Sequence, residues 1–184
     1  MPLDIAVGIF LAMGVSRFFH QDLTRTAIAA GIAFTLLPDF DFIVEWFRHG
    51  SVGGKVIREH REISHFPLTF IPLVFIAWLV FGAFWAALFG SAILSHFLHD
   101  SAGIGWGIKW WWPFSKKAYK FFSEKNGSFS WRFMISWNEE ELHEVALRAG
   151  DPHWIRNIYF RFHPISVIEY LSLAIAIIAL LLRR

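Results

Sequence analysis

The chain of 184 residues has no cysteine. That excludes disulfides, thiolate catalysis and cysteine-ligated zinc, and leaves the compartment open. Charge is scarce too. Only 17% of residues are Asp, Glu, Lys or Arg, against roughly 25% in soluble domains. The net charge is +2 and the pI about 9.1. So mild an excess argues against a nucleic-acid partner, which needs a concentrated basic face. Membrane topology and anionic lipid heads account better for the basic residues. No basic region precedes the first apolar segment and no convincing cleavage site follows it, so no removed signal peptide is expected.

What the chain does contain is apolar and aromatic. Hydrophobic residues make up 55%, mean hydropathy is +0.45, and there are 10 Trp and 21 Phe. Half-wet rings favour a membrane–water interface. The expected fold is an all-α, multi-pass membrane helical bundle. It would have two short helical hairpins, a cytoplasmic-side loop and helix region, and a C-terminal transmembrane helix. We expect a single membrane-embedded domain over 1–184, with a core in 1–115, an interfacial or soluble segment in 116–164 and a final helix in 165–182. No internal repeat, linker or low-complexity tail is evident.

Two apolar runs, Ile5 to Phe19 and Thr26 to Leu37, flank a polar break containing Arg17, His20, Gln21, Asp22 and Arg25. Each is short for a full crossing, which takes about 20 residues, so they read as a hairpin of short or partly embedded helices. Pro38 is expected to end the second leg. Asp4 opens the first leg and Asp39 and Asp41 follow the second, so the three acids can share one side. Phe42 to Glu59 reads as a surface segment with a turn at Ser51-Val52-Gly53-Gly54. Pro67 to Leu98 carries no charge over 32 residues. One straight helix of that length would run about 48 Å. It would overshoot the membrane and carry His65 far from His96, so a fold-back near Val80–Ala83, with Gly82 at the bend, is expected.

Ser101 to Pro164 is the wetter half. Trp110-Trp111-Trp112-Pro113-Phe114, followed by Lys116, Lys117 and Lys120, reads as an interfacial aromatic–basic belt. Asn126-Gly127-Ser128 marks a turn. Asn138 before Glu139, Glu140 and Glu141 reads as an N-cap with an acidic first turn, opening a helix that runs to about Ala149 before Gly150. Ile165 to Leu182 is the clearest membrane helix, with Glu169 its one charge. Thirteen Lys and Arg fall on the side of the His and Asp clusters and four (Arg17, Arg25, Arg183, Arg184) on the other, making the 17 of the chain. By the positive-inside rule the clusters face the cytoplasm.

Three polar clusters punctuate this oily chain: Asp39 and Asp41, His60 and His65, and His96, His99 and Asp100. Ionisable groups at a membrane are costly and therefore functional candidates. Two carboxylates two residues apart on non-helical backbone can share a cation, although Asp is also common at helix ends. His60 and His65 lie about 140° apart on a regular helix, so joint ligation needs a loop or helix end there. His96 and Asp100 share a helix face, and His also suits a helix C-terminus, where Asp does not. With both hairpins closed, Asp4, Asp39, Asp41, His60, His65, His96 and Asp100 reach a single side. A carboxylate–imidazole set of that size suits one or two divalent ions: Zn, Mn, Fe or Mg. His143, Glu144, His153 and His163 read as solvated or interfacial side chains.

The same residues carry a resemblance. Leu37–Asp41, His60–His65, Ser95–Asp100 and Trp112–Phe114 together resemble the bacterial inner-membrane metal-dependent hydrolase family, described as LexA-binding, inner-membrane-associated hydrolases. The resemblance covers about residues 1–115. It implies a multi-pass inner-membrane protein with a metal site and hydrolase activity. This chain departs from the family's pattern at Asp4, where a His is usual, and at Phe42 and Phe66. On this reading His99 would donate a proton, and Arg61 would steady an anionic transition state or pair with Glu62 or Asp41. A phosphoester, lipid or other amphiphilic substrate would meet the site at the membrane edge. A non-enzymatic metal- or ion-binding transport or scaffold protein would use the same ligands. A purely structural reading, with the clusters as interfacial hydrogen bonds, needs no metal.

Overall fold

The computed structural model describes residues 1–50, 64–103, 105–123 and 132–183. His60, Arg61, the 51–54 turn and the 126–128 turn lie outside the described residues. The chain is predominantly helical, with one small antiparallel sheet, and divides into two compact units.

The first unit comprises Met1–Pro38, Thr69–His96 and Ile158–Arg184. It begins with α1 (Pro2–Phe18) and α2 (Arg25–Leu36). Thr24 opens α2 by accepting a hydrogen bond from the Ala27 N–H at 3.0 Å, the usual answer to an orphan N-terminal donor. The two helices form the expected antiparallel hairpin. They approach so closely at Gly8 and Gly31 that a Cβ on Gly8 would lie 2.7 Å from the Gly31 carbonyl oxygen. Small residues allow this backbone approach, which is typical of helix pairs in lipid. Thr35 fastens the open end, donating to the carbonyl of Asp4 at 2.9 Å. Asp4 and Thr35 therefore lie level across the hairpin.

The 32-residue uncharged run also folds back as expected. It forms α4 (Pro67–Phe81) and α5 (Ala83–Ala102), with Gly82 between them at φ +87°. A left-handed φ costs glycine little and other residues more. Phe70 of α4 meets Phe89 of α5, with ring centroids 6.3 Å apart. Gly90 lies against Val74. α5 packs into the first hairpin through Phe84 and Leu88, which join Ala12 and Ala27 in one buried cluster.

The C-terminal helix α8 (Pro164–Leu182) starts on a His163 side-chain cap, Nδ1 accepting from the Ile165 N–H at 3.3 Å. It lies parallel to α1, with Ala176 packed against Ala6 and Ile9. Arg17 and Arg183 accordingly come to the same end, lining a cleft of about 420 Å³. α8 and the helical stretch Arg25–Arg48 are each long and apolar enough to cross a membrane.

That 25–48 stretch corrects one expectation. α2 does end just before Pro38, at Leu36, but the chain does not open into a turn there. A single 3-10 turn (Leu37–Asp39) links α2 directly to α3 (Phe40–His49). Proline has no N–H to give an α-helical ladder. Here the Leu37 N–H has already tightened to an i−3 bond with Phe34, so the chain passes the proline and continues. Asp39 and Asp41 thus stand on helical backbone, not in an open turn.

The second unit comprises Asp39–Leu68 and Phe97–Asn157. It contains the one departure from an all-α fold among the described residues. β1 (Ala118–Ser123) pairs antiparallel with β2 (Arg132–Trp137), Ala118 opposite Trp137, and Ile108 adds a bridge to Tyr119. Helix α6 (Glu139–Ala149) begins as its sequence predicts. Asn138 Oδ1 accepts from the Glu141 N–H at 2.8 Å and Glu141 Oε2 accepts from the Asn138 N–H at 3.0 Å, a reciprocal capping box. Ala118, Ile135, Trp137 and Leu142 form the local core, and a short α7 (Trp154–Tyr159) follows.

Parts of the expected aromatic–basic belt turn inward. Trp110 donates its indole N–H to Ser101 at 2.9 Å. Trp112 stacks on Phe66 at 4.4 Å. Lys120 donates to the carbonyls of Gly103 and Gly105. Lys109 is buried and paired with Glu139 at 3.2 Å. Trp111 and Phe114 remain exposed.

Candidate metal centre

Three segments of the second unit supply the site. The 3-10 turn and the start of α3 bring Asp39 and Asp41. The short connection Ser64–Phe66, just before Pro67 starts α4, brings His65. The last turns of α5 bring Asp100. His65 is fully buried. Its neighbour Phe66 stacks on Trp112, and the Phe97 ring lies edge-on to its own with centroids 6.2 Å apart.

The two ring nitrogens of His65 meet different partners. Nε2 lies 3.1 Å from Asp100 Oδ2 and 3.7 Å from Asp39 Oδ1. Nδ1 lies 3.3 Å from Asp41 Oδ2 and 3.0 Å from Ser64 Oγ. One N–H points well at only one acceptor, yet two carboxylates converge on Nε2. Ligands that share one cation at bonds of ~2.1 Å stand roughly 3.0 Å apart in octahedral geometry and roughly 3.4 Å apart in tetrahedral geometry. The 3.1 Å separation to Asp100 falls within that range, and the 3.7 Å separation to Asp39 lies just beyond it. Burial by itself would lower the His65 pKa. The nearby carboxylates of Asp100, Asp39 and Asp41 outweigh burial and raise it from 6.5 to about 10. In the metal-free protein a proton therefore occupies the position that a cation would take.

His96 joins through α5, one turn before Asp100 on the same face, as the i, i+4 spacing predicts. Asp39, His65, His96 and Asp100 each offer one ligand atom, and all four atoms lie within 4.8 Å of one another. This group of Asp and His residues can hold a metal ion. His96 is 1% exposed and its Nδ1 lies 3.3 Å from Asp4 Oδ1. Asp4 is itself buried, with the Met1 amino group 2.7 Å from its other oxygen.

Of the seven ligands expected from sequence, four form this group. Asp4 and Asp41 lie one step behind it, each against the Nδ1 of a histidine. His60 lies outside the described residues, as does Arg61. His99 is half-buried, with its ring against Gly103, and does not belong to the four-residue group.

Two buried acids were not expected from sequence to matter. Glu169 on α8 is 1% exposed and accepts from the Tyr159 hydroxyl at 3.0 Å. Glu45 on α3 is 3% exposed. The available signal was a lone acid within an otherwise apolar stretch, the pattern that marks functional groups in membrane segments.

A family model described as YdjM inner membrane protein matches residues 4–183. No curated protein and no solved structure matches the chain.

Proposed function

The chain belongs to the YdjM inner membrane protein family, and on that premise we propose that it is a membrane-bound, metal-dependent hydrolase whose site faces the cytoplasm. The observation that carries the metal is the convergence of Asp39 and Asp100 on the Nε2 of a fully buried His65. Three carboxylates around one imidazole leave an excess of negative charge in a water-poor setting. Such a charge calls for a cation.

Asp39, His65, His96 and Asp100 would hold the ion. Asp41 would fix the His65 ring by accepting from Nδ1–H, and Asp4 would do the same for His96. Carboxylates in this position set the tautomer, aim Nε2 at the metal and raise its basicity. When bound, a divalent cation here supplies Lewis-acid polarisation of a scissile bond and lowers the pKa of a water. His99 is the nearest further proton carrier by sequence, and Arg61 the nearest guanidinium. The hydrolase step rests on the motif resemblance in residues 37–41, 60–65, 95–100 and 112–114. The cytoplasmic side rests on the 13-to-4 division of Lys and Arg. A phosphoester or lipid-like substrate follows from a site at the membrane edge.

A second reading has its own support. Four protein donors fill a tetrahedral ion completely, and closed sites bind without catalysing. If the resident ion is zinc, a metal-binding transport or scaffold protein is favoured. An octahedral Mn, Fe or Mg ion keeps positions open. The test is turnover of a generic phosphoester by detergent-purified protein. Metal-dependent turnover that disappears in Asp39→Ala and His96→Ala supports the hydrolase. Bound metal without turnover under any divalent ion supports the binder.

A further inference from the structure

Helix α3 has its polarity reversed. Ile43, Val44, Trp46 and Phe47 are exposed, Phe47 at 84%, while the acid between them, Glu45, is 3% exposed. A helix of a water-soluble domain turns its apolar stripe inward. Here the apolar side faces out and the acid faces in. Both carboxylate oxygens of Glu45 are buried without a hydrogen-bond partner among the described residues. An isolated buried carboxylate is among the costliest groups a protein can carry, and it persists when a cation or a proton neutralises it.

Position favours the cation. Asp41 stands one turn before Glu45 on the same helix face. Helical side chains lean toward the N-terminus, so Glu45 leans toward Asp41. Asp41 presents Oδ2 to His65 Nδ1 at 3.3 Å, and its Oδ1 is a second acceptor in the same carboxylate. The i, i+4 spacing lets the two carboxylates reach one cation between them.

We propose that Asp41 and Glu45 hold a second divalent cation, beside the ion held through His65 Nε2. The inference rests on the metal centre proposed above and extends it to a pair of ions linked by the His65–Asp41 contact. With two carboxylates as its donors among the described residues, the site suits a hard ion that keeps several waters, Mg²⁺ or Mn²⁺. It gives Glu45 a binding role in a segment whose sequence reads as plain surface.

The test is Mn²⁺ stoichiometry on the full chain in detergent, for wild type, Glu45→Gln and His65→Ala. Glutamine has the shape of a protonated glutamate, so Glu45→Gln keeps the fold whichever state Glu45 occupies. We expect about two equivalents in wild type and about one in Glu45→Gln, as a paired-ion site requires, with the remaining ion bound within about threefold of its wild-type affinity. Unchanged stoichiometry in Glu45→Gln overturns the inference. One equivalent in wild type overturns it as well. If Glu45→Gln matches wild type while His65→Ala loses metal, this inference fails and the proposed function stands. No metal in wild type removes both.

Discussion

Metal binding at this centre must displace a proton, and that gives a quantitative handle. His65 holds its proton with a pKa of about 10. Burial opposes the charged ring, and the carboxylates of Asp100, Asp39 and Asp41 outweigh it. A divalent ion coordinates only the neutral imidazole. At pH 7.5 the neutral fraction in the metal-free protein is about one part in 300, so the apparent affinity is weakened by about 300-fold. Each rise of one pH unit between 7 and 9 should tighten binding by about tenfold and release about one proton per ion. A histidine with the ordinary pKa of 6.5 would give almost no pH dependence over the same range. The assay is calorimetric titration of Mn²⁺ or Zn²⁺ into protein in detergent at pH 7, 8 and 9. Each titration is run in two buffers that differ in ionisation enthalpy, so that released protons are counted. Asp41→Asn removes one of the three stabilising carboxylates and should flatten the slope toward pH 9. Affinity that does not vary with pH, with no proton release, would refute the account of His65.

The same pKa sets stability without metal. A folded pKa above the unfolded one gives stabilisation that is complete below pH 6.5 and is lost as pH rises toward about 10. The metal-free protein should therefore melt at progressively lower temperature over that range, losing at most about 5 kcal/mol, and saturating metal should suppress the loss. Gly8→Ala puts a Cβ 2.7 Å from the Gly31 carbonyl oxygen and the Ile32 Cα. It should destabilise the α1–α2 hairpin by about 1–3 kcal/mol, read as a fall in melting temperature. Gly14→Ala meets nothing within 4 Å and should be neutral or slightly stabilising. Asn138→Ala removes one half of the α6 capping box and should cost about 1 kcal/mol, measured by denaturant unfolding, with metal binding unchanged.

Several features of the fold were legible because length and local chemistry dictate them. The 32-residue uncharged run from Pro67 to Leu98 is too long for one membrane-sized helix, so it had to bend, and Gly82 is where a bend costs least. The Asn138–Glu141 cap is a local motif and reads directly. The β1–β2 pair was missed because Ala118–Ser123 and Arg132–Trp137 lack a clean alternation. Phe122 and Phe133 are both exposed while Ala118 and Trp137 are buried. Pro38 marked the end of α2, but the helical backbone beyond it was not legible, because a 3-10 turn satisfies the backbone around the proline.

At the candidate site, residue types and the i, i+4 pair on α5 marked most of the residues that converge. Sequence could not separate ion-holding from ring-holding carboxylates. Which ring nitrogen Asp41 or Asp4 faces is decided by tertiary packing around His65 and His96. Glu45 escaped for a different reason. The polar residues that follow it, Arg48, His49 and Lys55, read as a wetted surface, whereas on a helix with its apolar face outward the acid turns to the interior.

The most direct measurement is the metal content of the full chain purified in detergent, by elemental analysis, with wild type beside His65→Ala. The account predicts at least one tightly held divalent ion per chain in wild type and its loss in His65→Ala. Wild-type protein that holds no stoichiometric metal, or a variant that retains all of it, would contradict the account.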